Sequence, residues 1–193
     1  MNPVRRGRET LGMFADLLGY PSGGEAAIAA RGVSALSAEF PEAAALLAEA
    51  RSFFADAPRE RAEEIFTATF DLQASCPPYV GFHLFGEGYK RRIFLAGMNA
   101  QYAGSGFSAG GELPDHIAVI LRFLATSAGD GQYREIVEDG LIPALSRMVG
   151  KFEDAGNPYG NVLRALRSVL AGASRPERVE ARTGRPETEV GTP

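Results

Sequence analysis

Residues 113–128 read Leu-Pro-Asp-His-Ile-Ala-Val-Ile-Leu-Arg-Phe-Leu-Ala-Thr-Ser-Ala. Ile117, Val119, Ile120, Leu121, Phe123 and Leu124 occupy every side of a 3.6-residue repeat, and a helix that is apolar all round has to be enclosed by others. The stretch predicts the central helix of a bundle. Pro114 suits its first turn, where no N–H is needed, and Asp115 faces the positive end of its dipole. Elsewhere, short Val/Ile/Thr runs of alternating polarity are almost absent, so the fold class reads as all-α, a single-domain helical bundle.

The flanking segments carry helical stripes. Leu11, Phe14, Ala15 and Leu18 lie on one face, and Gly19-Tyr20-Pro21 ends that helix because proline disfavours α geometry in the residue before it. Alanine dominates 26–50, which makes helix the default there. Pro41 fits a first helical position ahead of Ala43, Leu46, Leu47, Ala50 and Phe54. Pro58 opens another start, with Ala62, Ile65, Phe66, Thr69 and Phe70 inward and Glu60, Glu63 and Glu64 outward. The stretch 71–88 contains Cys76-Pro77-Pro78, three glycines and Tyr79, Phe82 and Phe85, and reads as an ordered, partly buried connector. A helix is expected from about Glu87 to Tyr102, with Phe94, Leu95, Met98 and Tyr102 inward, then a glycine-rich loop over 104–111. Between 133 and 152 two helices are expected, the first stopped at Gly140, because Pro143 does not belong inside a continuous helix. Asn157 reads as an N-cap and Pro158 as the first position of a last helix, with Tyr159, Val162, Leu163, Leu166, Val169 and Leu170 on one face. Residues 1–172 are expected to form the helical domain. Residues 173–193 hold four arginines, four glutamates and three prolines without an aromatic, and are expected to be a disordered tail.

Composition narrows the function. At 193 residues with 45% hydrophobic and 23% charged residues, the chain suits one soluble domain. Its formal charge of -4 argues against nucleic acid as the main partner. Cys76 is the sole cysteine and His83 and His116 are the only histidines, too few for a disulfide or a His/Cys metal cage. Arg5-Arg6 is followed by Gly7-Arg8-Glu9-Thr10 rather than an apolar export segment, and no run approaches the ~18 apolar residues of a membrane span. A cytoplasmic location without direct membrane insertion is expected.

No phosphate-cradling GxxxxGK[ST], no GxGxxG between strand and helix, no HExxH and no GxSxG is present, so no catalytic residues are assigned. Gly104-Ser105-Gly106 follows a helix and lacks a neighbouring lysine, which makes it a connector. The alternative is a small helical enzyme in which Cys76 is a nucleophile served by His83 or His116. A binding role draws on other residues. Asp115, His116 and Arg122 are the main polar groups of the apolar helix, and Asp115 and Arg122, two turns apart, share a face that borders a groove. Glu87 with Lys90, Arg91 and Arg92 stands at a helix start, where the carboxylate is favourable and the cations are not. The cluster is either a solvated patch or a recognition site for an acidic or polar segment of a partner.

Three stretches, Glu64-Ile65-Phe66-Thr67-Ala68-Thr69-Phe70-Asp71-Leu72, Tyr79-Val80-Gly81-Phe82-His83-Leu84-Phe85-Gly86-Glu87 and Glu112-Leu113-Pro114-Asp115-His116 leading into Leu121-Arg122-Phe123-Leu124-Ala125, carry a resemblance. Together with Leu17-Leu18-Gly19-Tyr20-Pro21, their order and spacing resemble the nitrate reductase delta-subunit branch of the TorD/NarJ-like molybdoenzyme chaperones. The resemblance implies an all-helical cytoplasmic chaperone without chemistry of its own; no stably bound cofactor is expected, and the chain is expected to be a monomer or a homodimer. The resemblance also implies binding of the N-terminal segment of the apo catalytic subunit of a molybdenum oxidoreductase, nitrate reductase or a relative. The client would be held for insertion of its molybdenum bis(guanine dinucleotide) cofactor and for complex assembly. By the same resemblance Pro114-Asp115-His116 matches a family signature near the peptide-binding groove, while the family commonly has glutamate where Arg122 stands; together with the charge pattern, the expected client-binding residues are Tyr79, His83, Glu87, Arg91, Pro114, Asp115, His116 and Arg122. Charge reversal at Asp115 is then expected to weaken client binding more than stability.

Overall fold

Helix α7, Ile117–Thr126, lies at the centre, with Ile117, Ala118, Val119, Ile120, Leu121, Phe123 and Leu124 all buried. The computed structural model describes residues 3–72, 74–152 and 156–173. The other helices are α1 (Pro3–Leu17), which packs directly along α7, α2 (Glu25–Leu36), α3 (Pro41–Asp56), α4 (Arg59–Phe70), α5 (Val80–Phe85), α6 (Tyr89–Gly104) and α10 (Pro158–Ala173). A continuous helical segment joins α8 (Asp130–Glu135), a π-helical stretch (Ile136–Leu141) and α9 (Ile142–Val149). The described residues contain no strand, only one antiparallel bridge between Tyr79 and His116. The all-α bundle read from the sequence is the fold.

The helices pack as their stripes direct. α1 lies along α7 through Leu11, Phe14, Ala15 and Leu18, each essentially inaccessible, while α3 packs between α2 and α10. Full burial of a Leu or Phe side chain contributes about 1.5–3 kcal/mol, so this central layer supplies the main driving force. In α10 the cap is as expected, with Asn157 Oδ1 accepting from Tyr159 N–H at 3.0 Å. Tyr159 then enters a cluster of edge-on aromatics with Phe54, Phe66 and Phe70, at centroid separations of 5.1–5.6 Å.

Three local expectations are corrected. The central helix begins at Ile117, not at Leu113, so Pro114 and Asp115 precede it and Asp115 does not serve its dipole. The cap is His116, whose Nδ1 accepts from Ala118 N–H at 3.2 Å. The reason is a competing commitment of the backbone. Val80 N–H donates to Asp115 O and Ile117 N–H to Pro78 O, both at 2.8 Å, and that bridge holds 115–117 extended. Between 133 and 152 there is no stop at Gly140. Ile142 N–H donates to Val137 O five residues back, and the change of register places Pro143, with no N–H to donate, in the first turn of α9. The connector 71–88 contains α5, and α6 begins at Tyr89, which leaves Glu87 outside any helix. The expectation for 173–193 falls outside the described residues except at Ala173, which ends α10.

Candidate functional site

The end of α4, α5 and the start of α6 enclose a surface cleft of about 570 Å³. It is lined by Phe70, Asp71, Ala74, Pro77, Tyr79, Phe82, Glu87, Arg91 and Leu113. Each wall is set by local structure. Tyr79 is fixed by its backbone bridge to His116, and the two rings meet edge to face at 5.8 Å. Phe82 is on α5, a helix too short to be stable alone. Arg147 secures the exposed end of α5, donating to the carbonyls of His83 and, at 2.8 Å, Leu84, and a cation is favourable at a helix C-terminus.

Beneath the cleft lies a buried ion pair. Arg91 Nε is 2.9 Å from Asp115 Oδ2 and its Nη2 is 3.3 Å from Oδ1, a two-point contact. The Asp115 side chain is 0% exposed and that of Arg91 13%. The guanidinium also sits 5.2 Å from the Tyr79 ring centroid and 6.0 Å from that of Phe82, within cation–π range. Gly81 makes room for the arrangement. A Cβ there would lie 2.8 Å from both Asp115 Oδ2 and Phe94 Cδ1, which no real side chain tolerates. Pro114 is held from the other side, its carbonyl accepting from Tyr102 O–H at 2.7 Å.

The electrostatics differ from the sequence expectation. Asp115 neutralises Arg91, so of the three cations only Lys90 and Arg92 stand exposed. The charges left at the cleft are the exposed carboxylates Asp71 and Glu87. An acidic segment would be repelled, whereas a cationic or polar one with an apolar side chain fits the aromatic walls. Burial, with help from the negative charges of Glu112 and Asp115, raises the Tyr79 hydroxyl pKa. The phenol therefore stays protonated at the cleft wall.

Of the residues singled out by sequence, Tyr79, Glu87 and Arg91 line the cleft, and Pro114, Asp115 and His116 form the loop that supports it. Burial lowers the His116 pKa, in keeping with a neutral ring whose Nδ1 accepts a hydrogen bond. Arg122 and His83 do not line the cleft. Arg122 is exposed, its nearest acid is Asp16 of α1 at 3.7 Å, and it shares no helix face with Asp115, which precedes the helix. His83 is buried, and its Nε2–H donates to Pro77 O at 2.7 Å. Phe70, Asp71, Ala74, Pro77, Phe82 and Leu113 complete the cleft, and the sequence marked them only as core, connector or part of the stretches that carry the resemblance. Arg147 carried no signal.

The geometry also disfavours the cysteine enzyme. Cys76 Sγ lies 4.0 Å from His83 Nε2, but the thiol is 0% exposed and desolvation pushes its pKa up to about 12. It is un-ionised at neutral pH and out of reach of substrate. The Nε2 facing it carries the proton given to Pro77 and cannot act as a base. Among the described residues no three His, Cys, Asp or Glu side chains cluster as metal ligands.

Comparison with curated proteins finds no match. The fold is similar to that in a crystal structure of a proposed redox enzyme maturation protein from Archaeoglobus fulgidus, at 21% identity and a TM-score of 0.59. The alignment covers 85% of this chain and 93% of that one. Residues 34–165 match the family described as nitrate reductase delta subunit. That span runs from α2 into α10 and includes every residue of the cleft and of the ion pair beneath it, and the chain belongs to the nitrate reductase delta subunit family.

Proposed function

We propose that the chain is a cytoplasmic maturation chaperone for a molybdenum oxidoreductase, nitrate reductase or a relative, with residues 1–172 as the working domain. In this reading it binds the N-terminal region of the apo catalytic subunit and holds that subunit for insertion of molybdenum bis(guanine dinucleotide) and for complex assembly. The cofactor belongs to the client, and the chaperone contributes binding alone. The observation that carries the reading is the family match across the whole cleft. The cleft chemistry supports it: Phe70, Tyr79, Phe82 and Leu113 offer apolar contact, and Asp71 and Glu87 orient a cationic client group. A client that orders on binding spends part of its contact energy on ordering, which keeps the complex reversible.

The test is titration calorimetry of the full chain with the apo catalytic subunit, intact and without its N-terminal segment. Binding to the intact subunit alone is expected, weakened about tenfold or more by Tyr79→Ala with Glu87→Lys. Equal binding of both subunits contradicts the N-terminal assignment, and absence of binding contradicts the chaperone reading.

A further inference from the structure

Helix α6 has two apolar faces, and only one is covered by the described residues. Met98 and Tyr102 are buried, with Phe94 and Leu95 half-buried beside them. On the opposite side, Tyr89 is 69% and Ile93 56% exposed, and Ala96, Gly97, Ala100 and Gly104 continue the same outward stripe. A solvent-facing helix is expected to carry charge there. This one has no acidic residue in Tyr89–Gly104, in a protein of net charge -4, and its cations are confined to the first turn.

Gly97 adds an independent observation. It stands in the middle of the helix, where glycine weakens the structure relative to alanine. A Cβ there would meet nothing within 4 Å among the described residues, so their packing gives no reason for it. The cations are only partly explained: the Arg92 guanidinium lies 5.9 Å from the Tyr89 ring centroid, and Lys90 has no such contact among the described residues. Lys90 and Arg92 sit at the positive end of their own helix dipole, and neither has an ion-pair partner among the described residues.

We infer that the outer face of α6 pairs with the same face of a second copy of this chain, antiparallel, about a two-fold axis between Ala96 and Gly97. The face is complementary to itself under that operation. Tyr89 falls opposite the second copy's Gly104 and Ile93 opposite its Ala100, so large residues meet small ones, and Gly97 lies where the backbones approach closest. Lys90 and Arg92 of each helix come beside the negative, carbonyl end of the other, relieving the misplacement both have in the monomer. The interface is isologous and closes at two copies. A helix pair about 24 Å long is smaller than the roughly 1,200–2,000 Å² interfaces of stable complexes, so the dimer dissociates on dilution.

Sedimentation equilibrium of the full chain from micromolar to millimolar concentration tests this. A reversible monomer–dimer equilibrium is expected, weakened about tenfold or more by Ile93→Lys. It is also expected to be lost in Gly97→Leu, although leucine favours the helix itself. Under a mild oxidant Gly97→Cys should cross-link to its counterpart across the axis, and Asn99→Cys, off the face, should not; the native Cys76 is buried and does not interfere. A chain that is monomeric throughout overturns the inference. So does dimerisation indifferent to Ile93→Lys and Gly97→Leu, or equal cross-linking of the two cysteine variants. Loss of client binding in Ile93→Lys without any dimer in the parent would assign the face to the client and overturn it too.

Discussion

The ion pair under the cleft predicts an order of stabilities that a surface pair would not produce. Asp115 is fully buried and Arg91 nearly so. Removing one partner therefore leaves an uncompensated charge where water does not reach, at about 3–5 kcal/mol. Asp115→Ala should fall near 3 kcal/mol, because Arg91 borders the cleft and keeps its contacts with Tyr79 and Phe82. Arg91→Met should be worse, near 5 kcal/mol, since the stranded carboxylate has no access to solvent. The double variant removes both charges and leaves only lost packing. It should be more stable than Arg91→Met alone, with a coupling energy of about 2 kcal/mol or more. Urea unfolding followed by circular dichroism gives all four stabilities, and for a chain of this size 3 kcal/mol corresponds to roughly 10 °C in Tm. Additivity within about 0.5 kcal/mol, or a double variant weaker than both singles, would refute a buried pair. The same burial reverses the expectation for charge reversal at Asp115: stability is lost first, and any loss of client binding follows from it.

Other expectations are independent of that pair. Gly81→Ala forces a methyl against Asp115 and Phe94 and should destabilise by about 1–3 kcal/mol in the same unfolding assay. Tyr159 O–H is buried with no hydrogen-bond partner among the described residues, so Tyr159→Phe should raise stability by about 1 kcal/mol. Burial lowers the pKa of both His83 and His116, and below pH ~6.5 the unfolded chain takes up protons that the folded one resists. Stability should therefore be full above that pH and fall as pH drops toward the folded-state values, by at most about 1.4 kcal/mol per pH unit for each histidine; a flat profile in urea titrations from neutral to mildly acid pH contradicts this. Cys76, buried and with its pKa pushed up to about 12, should react with a thiol reagent only after unfolding, which a colorimetric assay with and without denaturant checks.

Where helices were long and one-sided, their stripes were legible in the sequence. The faces at Leu11 to Leu18, Ala43 to Ala50 and Tyr159 to Leu170 are the buried ones, because period and burial are set by the same geometry. α5 was invisible for the converse reason, since six residues do not complete two turns and so repeat no stripe. The start of α7 was misread because proline and aspartate are locally good at a helix start, whereas a hydrogen-bonded bridge to residues 78–80, more than thirty positions away, decides otherwise. The π-helical stretch was missed because the rule against interior proline assumes that the register cannot change. At the site, Tyr79, Glu87, Arg91 and Asp115 were all marked, but their roles were not: nothing in the sequence pairs Arg91 with Asp115, 24 residues on, and that pairing changes the cleft from basic to acidic. His83 was marked as a client contact, and its burial follows from contacts with Cys76, Pro77 and α9 that sequence spacing does not encode.

The central claim is that the chain prepares a molybdenum enzyme by holding its unfinished catalytic subunit. It is tested most directly by measuring molybdenum per catalytic subunit, by elemental mass spectrometry, in subunit purified from cells with and without this chain. The account predicts that the subunit accumulates without the chain but with most of its molybdenum missing, and that restoring the chain restores the metal. Full molybdenum loading in its absence would contradict the account.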